Sequence, residues 1–372
     1  MTGRRVAVLF LGETLLIPHL WPIVEALAAA DPALPIDLWV ATSVHQALLG
    51  RWKEGLGDQV RLRRAPGFRR LGDADDGRNP PLPAKLPMLA RVAPRLLTAR
   101  VAVCAEQTSL WLPTLLPFLP VRFVKTAHGA GSMAARDDRR RRAATMTLVP
   151  SEDERAQFLR RGFDPARVIA TGYVKAAFRH RTAPAALFAQ PRPILLYTPH
   201  WQRHRSSWWD WGRQIVALLC RQRDWNVILA PHQRLAERDP ELAGILRDAA
   251  RHPHVHGDID SFAMVDGSYT AMADLYLGDT SSQVVEFLAR PRPCVFLNND
   301  DVDWRAAPDR GFWHCGEVVA SLDRVPGALG EAVAHHPHFR PVQERFAAAA
   351  LGDTSPRAPA QAAEIILRTL ER

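Results

Sequence analysis

Two doubly wound α/β domains of the Rossmann type, facing each other across a cleft, are the fold class this sequence predicts, and three observations predict it. Short runs rich in Val, Ile and Leu recur along the chain, and most are followed by apolar residues at helical spacing. That alternation is the mark of parallel α/β sheets. At 372 residues the chain is long for one domain and comfortable for two. Polar and glycine-containing clusters fall directly after several apolar runs, where ligands of open parallel sheets bind. The expected division is residues 1–178, residues 190–357 and a C-terminal helix over 358–372, with a proline-containing linker at about 176–191.

The elements follow in order. Val6–Leu11 is the first strand. The arginines before it superficially suggest a signal peptide, but the run is short, ends at Gly12-Glu13 and has no convincing cleavage site. A helix is expected from Leu15 to about Ala30, a strand at Ile36–Ala41, a helix from Ser43 and a strand at Val60–Arg63. Residues 72–84, mixing Gly, Asp, Asn and Pro, read as a loop. Residues 85–100 interleave Lys85, Arg91, Arg95 and Arg100 with Leu86, Met88, Leu89, Val92, Leu96 and Leu97. They read either as a basic amphipathic helix on a membrane surface or, more simply, as a surface helix with solvated arginines, interrupted by Pro94. Strands at 101–106, 121–126, 145–149 and 168–171 complete the first domain, and the charge run Arg136–Arg142 is expected to be solvated.

The second domain is expected to open with a strand at Ile194–Thr198, a helix at about 207–221, and strands at Asn226–Ala230 and Val255–Gly257. Then comes the most informative stretch. Leu275–Leu277 is a strand that stops at Gly278-Asp279, and Thr280, Ser281 and Ser282 are all good helix caps. Val284, Val285 and Leu288 keep helical spacing until Pro291, and Cys294–Leu297 is the next strand. A compact strand–helix–strand unit implies parallel strands. Its hydroxyl-rich turn suits an anion at a helix N-terminus, with Glu286 one turn further on for ribose hydroxyls.

Bulk properties narrow the classes. Net charge is +9, which favours anionic partners, yet no nucleic-acid module is visible. The four scattered cysteines look like reduced core residues, so a structural metal site is not expected. No apolar run reaches the roughly 18–20 residues of a spanning helix.

Four clusters can carry chemistry. Thr126-Ala127-His128-Gly129-Ala130-Gly131-Ser132 follows a strand end and joins a candidate general base, His128, to a candidate phosphate loop at Gly129 and Gly131. It resembles a dinucleotide fingerprint but comes late in its domain, so no NAD cofactor is expected. Ala230-Pro231-His232 places a second histidine at a strand end. Tyr197-Thr198-Pro199-His200-Trp201-Gln202-Arg203-His204-Arg205 supplies Arg203 and Arg205 for a pyrophosphate, while Trp208, Trp209 and Trp211 read as packing. His252-Pro253-His254-Val255-His256 reads as a surface turn.

These residues together resemble the CDP-glycerol glycerophosphotransferase family of teichoic-acid and capsule polymerases. Its His-Gly motif is similar to His128-Gly129, its Lys-Pro-His to Ala230-Pro231-His232, and its Asp-Tyr-Ser-Ser turn to Asp279-Thr280-Ser281-Ser282. Its Arg-Gly-Phe-Tyr resembles Arg310-Gly311-Phe312-Trp313, and a Pro-Thr-Trp-Arg-like segment is echoed at Thr198-Pro199-His200-Trp201. The likeness spans about 120–315. Ala230 stands where that family has Lys, and Gly172-Tyr173-Val174-Lys175 where it tends toward Gly-x-Pro-Arg.

The resemblance implies a GT-B-like fold, with the first domain on the acceptor side and the second binding a nucleotide donor. It implies transfer of a polyol phosphate from a CDP-activated donor to an acceptor hydroxyl, with release of CMP and no cofactor. His128 and His232 would be catalytic, and Arg203, Arg205, Thr280, Ser281, Ser282, Glu286 and Arg310 would bind the donor. The expected partners are the CDP-linked polyol and a lipid-linked or glycan acceptor, in the cytoplasm or peripherally on the inner face of the membrane. A GT-B glycosyltransferase, an enzyme similar to UDP-N-acetylglucosamine 2-epimerase, and a catalytically silent nucleotide-binding scaffold are the alternatives.

Overall fold

The computed structural model describes residues 4–72, 77–129, 138–184 and 186–371. The chain forms two compact units, Met1–His180 with Ala349–Arg372, and Arg181–Ala348. In the first unit the order is β1 (Val6–Phe10), α1 (Ile17–Ala30), β2 (Ile36–Thr42), α2 (Ser43–Lys53), β3 (Val60–Arg69), α3 (Lys85–Leu96) and β4 (Val101–Cys104). Then follow α4 (Trp111–Leu115), β5 (Arg122–Thr126), α5 (Asp138–Arg142), β6 (Met146–Val149), α6 (Glu152–Arg160) and β7 (Val168–Ala170). The strands form one sheet ordered β3-β2-β1-β4-β5-β6-β7, and every pairing is parallel. β1, β2 and β4 are buried at every residue, as their continuous apolar runs require between two helix layers. Strand order reverses between β1 and β4.

Three expectations are corrected here. β3 continues to Arg69 because it is an edge strand that tolerates arginines on its open side. Pro94 does not interrupt α3, which takes the ring into its last turn. The charge run is not uniformly solvated, since Arg141 is buried with its guanidinium over the Phe158 ring.

The second unit contains β8 (Ile194–Thr198), α7 (Arg213–Arg221), β9 (Asn226–Leu229), α8 (Gln233–Ala236), α9 (Leu242–Ala249) and β10 (Val255–Gly257). After these come α10 (Ser268–Met272), β11 (Leu275–Gly278), α11 (Ser282–Phe287), β12 (Cys294–Leu297), β13 (Glu317–Val319), α12 (Val325–Ala334) and α13 (His336–Leu351), whose last three residues belong to the first unit. Its parallel sheet is ordered β10-β9-β8-β11-β12-β13, reversing between β8 and β11. Trp208 is buried and its indole N–H donates to Asp239 at 2.7 Å, so it is indeed core. His254 departs from the surface turn expected for it: it is buried and bonds the Leu219 carbonyl at 3.2 Å. α11 is capped by Ser281 and ends at Phe287, before Pro291.

The last helix, α14 (Arg357–Glu371), packs on α1 of the first unit, with Ala358, Ala362, Ile366 and Leu370 among its buried residues. The segment before it is held by the Tyr173 N–H, which donates to the Asp353 carbonyl at 2.7 Å. Gly172 makes this approach feasible: its φ is +89°, and a Cβ there would lie 2.4 Å from the same carbonyl oxygen. All four cysteines are buried free thiols. No helix among the described residues is long and apolar enough to cross a membrane.

Candidate functional site

In the first unit, β1 and β4 leave the sheet at Leu11-Gly12 and Ala105-Glu106, on either side of the reversal in strand order. Glu106 is buried, accepts hydrogen bonds from Thr108 Oγ1 at 2.8 Å and Ser109 Oγ at 2.9 Å, and pairs with Lys85 Nζ at 2.7 Å. The same ammonium donates to the Leu11 carbonyl, so the first residue of α3 bridges both strand ends.

His128 lies two residues beyond β5, half-buried, with Nδ1 2.7 Å from the Ala105 carbonyl oxygen. A carbonyl only accepts, so Nδ1 carries the proton and Nε2 keeps its lone pair. Burial, then the nearby Lys125 ammonium, pushes the imidazole down to about 3. Lys125 is itself buried on β5 and lowered to about 8 by that burial, with Nζ donating to the Thr126 carbonyl at 2.5 Å. Gly129 has φ +86°, a turn open to glycine, while Gly131 lies outside the described residues.

In the second unit the reversal falls between the ends of β8 and β11. Thr198 Oγ1 donates to the Tyr276 hydroxyl at 2.8 Å, and the His200 N–H donates to Asp279 Oδ2 at 2.9 Å. Asp279 is thus a buried carboxylate that ties the end of β8 to the end of β11. Burial raises it to about 6, against hydrogen bonding from Ser207, the His200 N–H and Ser206.

Above it stand two histidines. His200 Nδ1 accepts from the Gln202 N–H at 3.1 Å, and His232 Nδ1 from the Arg234 N–H at 3.2 Å. Each bond assigns the proton to Nε2, the opposite tautomer to His128. The rings meet edge to face at 5.4 Å, with Trp201 beside both and Arg234 and Arg238 over the Trp201 face. Burial first, then His232, lowers His200 to about 3; burial, then Arg234, lowers His232 to about 4. Two neutral rings thus offer two Nε2–H donors. A protonated Nε2 has no lone pair for a metal, and among the described residues no group of three His, Cys, Asp or Glu could hold one.

The other expected residues divide. Arg205 is half-buried near His200, whose pKa it helps to lower. Thr280 and Ser281 are buried beside Asp279, and Ser281 Oγ accepts from the Gln283 N–H at 3.2 Å, capping α11, which Ser282 begins. Arg203 is exposed and stacks 4.6 Å above the Trp209 ring. Glu286 is half-buried in the second turn of α11. Arg310 lies beyond β12, bonded to Asn298 Oδ1 at 3.3 Å and stacked on Trp313.

Sequence reasoning passed over His200, Asp279 and the Lys85–Glu106 pair. A signal for His200 exists: β8 and β9 pair with Tyr197 opposite Leu229, and extending that register sets Pro199-His200 opposite Pro231-His232. Pro-His recurs at the same step beyond two neighbouring strands.

No protein family and no curated protein matches this chain by sequence. Solved structures match it in fold. The wall teichoic acid polymerase TagF matches with a TM-score of 0.61 at 12% identity, over 99% of this chain and 89% of that one. The UDP-GlcNAc 2-epimerase of Neisseria meningitidis, bound to UDP-GlcNAc, gives 0.57 at 12% identity over 99% of both chains. The sucrose-phosphate synthase of Thermosynechococcus elongatus gives 0.51 at 16% identity over 99% and 98%. At these identities the likeness defines the fold: two doubly wound parallel α/β units of the GT-B class.

Proposed function

We propose that the protein is a GT-B-class transferase that moves a polyol phosphate from a CDP-activated donor to an acceptor hydroxyl, in the synthesis of a cell-surface polymer. The observation that carries the reading is the division of tautomers: one histidine with a free Nε2 lone pair at the first sheet's carboxyl edge, and two with Nε2–H donors at the second's. A phosphoryl transfer can use both kinds, a proton acceptor for the nucleophile and hydrogen-bond donors for phosphate oxygens. The motif resemblance, and the presence of TagF among the structures of similar fold, point the same way.

In this reading the acceptor oxygen attacks the polyol-bearing phosphorus as His128 Nε2 takes its proton. The bond from that phosphorus to the bridging oxygen breaks, and CMP leaves with the electron pair. His232 and Arg205 stabilise charge on the phosphates. Thr280, Ser281 and Ser282 receive the pyrophosphate, and Glu286 the ribose. Arg203 and Arg310 act at the periphery, each resting on an aromatic face. A dianionic donor nearby raises the His128 pKa from its low resting value, which strengthens it as a base when substrate is present. The acceptor is a lipid-linked or glycan hydroxyl.

The full-length coverage of the UDP-GlcNAc 2-epimerase favours one alternative, a uridine-nucleotide enzyme. Thermal shift and calorimetry with CDP-glycerol, CDP-ribitol, CMP and UDP-GlcNAc decide between the two. Saturating ligand at a hundred times its dissociation constant adds about 2.7 kcal/mol of stability. A response to cytidine ligands, weakened in Ser281→Ala, is expected. A response to UDP-GlcNAc alone overturns the assignment, and no response at all favours a silent scaffold.

A further inference from the structure

We infer that the first unit carries an anion-binding site at the amino edge of its sheet, and that this site takes a small organic phosphomonoester. It is a 430 Å³ cavity between the last turn of α3 and the amino ends of β1, β2 and β3. Arg5, Arg63 and Arg95 line it together with Asp37, Trp39 and Thr98, and Asp37 is the one acid in the lining. Strand alternation explains why these residues meet. Asp37 and Trp39 are two apart on β2 and share a face of the sheet, and the register sets Ala7 beside Asp37 and Arg63 beside Trp39. Arg5, two residues before Ala7, falls on that face as well. Arg64 also lines the cavity but alternates to the other face, where its Nε donates to Gln46 of α2 at 2.9 Å. α3 covers the shared face, with Met88, Leu89 and Val92 in one core with Trp39, and Arg95 lies in its last turn.

Asp37 is buried and accepts from both strand neighbours, from Arg5 Nη1 at 2.7 Å on Oδ2 and from Arg63 Nε at 3.0 Å on Oδ1. A guanidinium has five N–H donors, so the carboxylate uses up neither. That trio alone would serve to tie three strands together. Arg95 makes it a site: it enters from the helix side, meets no acid of its own in the cavity, and brings a third positive charge that an anion relieves. Three guanidiniums against one carboxylate leave two positive charges, the complement of a phosphomonoester near neutral pH. Their planar forks also fit phosphate oxygens in pairs. The cavity has room for more than a phosphate. Thr98 Oγ1 donates to the Arg95 carbonyl at 3.1 Å, which leaves its lone pairs to accept from a ligand hydroxyl, and Trp39 supplies an apolar wall. From Arg5 to Leu11 β1 runs about 20 Å. The cavity therefore lies at the opposite edge of the sheet from Glu106 and His128, and the inference does not need the transfer reaction.

Calorimetry of the full chain with glycerol 3-phosphate tests the site, at low salt because the arginines are partly exposed. A dissociation constant of about 1 mM or tighter is expected. Arg95→Gln weakens binding about tenfold or more. Asp37→Asn removes the opposing charge and tightens it about three- to tenfold, a gain that a merely structural carboxylate does not predict. Dimethyl phosphate, a monoanion, binds more weakly than glycerol 3-phosphate, and so does inorganic phosphate. Equal or tighter binding of inorganic phosphate overturns the organic part of the assignment. Thermal unfolding checks that each variant is folded, and Arg95→Gln, which breaks no side-chain pair, keeps the test open if Asp37→Asn is not. CMP affinity is measured in the same variants and is unchanged in Arg95→Gln, which separates failure here from failure of the donor assignment. No binding of glycerol 3-phosphate, affinity that Arg95→Gln leaves unchanged, or equal affinity for dimethyl phosphate overturns the inference.

Discussion

Where strand order reverses, the first unit places an ammonium–carboxylate pair, Lys85–Glu106, and the second a single buried carboxylate, Asp279, served by hydrogen bonds alone. The histidines beside them differ in the same spirit. His128 rests on a carbonyl and so keeps a lone pair, whereas His200 and His232 rest on N–H groups and so keep a proton to give. The backbone group met by Nδ1 decides what Nε2 can do. Identical side chains at the carboxyl ends of strands are thereby assigned opposite chemistry without any charged hydrogen-bond partner, and burial keeps all three neutral at physiological pH.

The largest expected effect tests the first half of that contrast. His128→Ala lowers turnover about a hundred- to ten-thousand-fold while leaving donor affinity in place; full activity in this variant removes His128 from the reaction. Next comes the pair at the first reversal. Lys85→Ala strands Glu106 without its cation and costs about 3–5 kcal/mol in urea unfolding. A loss below about 1 kcal/mol would mean that Thr108 and Ser109 satisfy the carboxylate by themselves.

In the second unit, His200→Ala or His232→Ala weakens donor binding about ten- to a hundredfold, the worth of one or two good hydrogen bonds to a charged group. Because both rings are neutral, donor affinity is flat from about pH 6 to 8. Affinity that climbs as pH falls through about 6.5 would reveal imidazolium groups instead and break the contrast.

Stability has its own pH dependence. The folded pKa values of His128, His200 and His232 lie below the ordinary imidazole value of 6.5. Their neutral forms favour the fold, so their contribution is present above about 6.5 and is lost as pH falls toward about 3–4. Asp279, raised to about 6, acts oppositely between the ordinary carboxyl value of 3.8 and that value. The histidines outnumber it, and the thermal midpoint drops between about pH 6.5 and 4, less steeply in His232→Gln. The smallest effect is Asp279→Asn, within about 1 kcal/mol, since the amide oxygen still accepts from the His200 N–H. A larger loss would show that the carboxylate's charge, and not its shape, closes the second reversal.

Much of this architecture was legible in the chain. Val6–Phe10, Ile36–Thr42 and Leu275–Gly278 announce themselves as apolar runs because strands buried on both faces have no polar side. The turns after β5, β8 and β11 were legible as polar residues at strand ends. What stayed hidden is tertiary. Lys85 sits in a segment patterned like a surface helix, and only the packed sheet shows that this first residue turns inward to Glu106. Asp279 reads as turn chemistry until β8 is set beside β11. α13 drew no assignment because the prolines and histidines over 335–341 obscure its helical period, and β13 and α12 before it drew none either.

The return of α14 to the first unit makes the second unit, in the order of synthesis, an insertion within the first. A ribosome completes both sheets before it delivers the helix that covers α1, so the amino-terminal half is the last to finish folding. Truncation within α14 accordingly uncovers α1. Damage there falls on the unit translated first, the one that carries His128 and the Lys85–Glu106 pair.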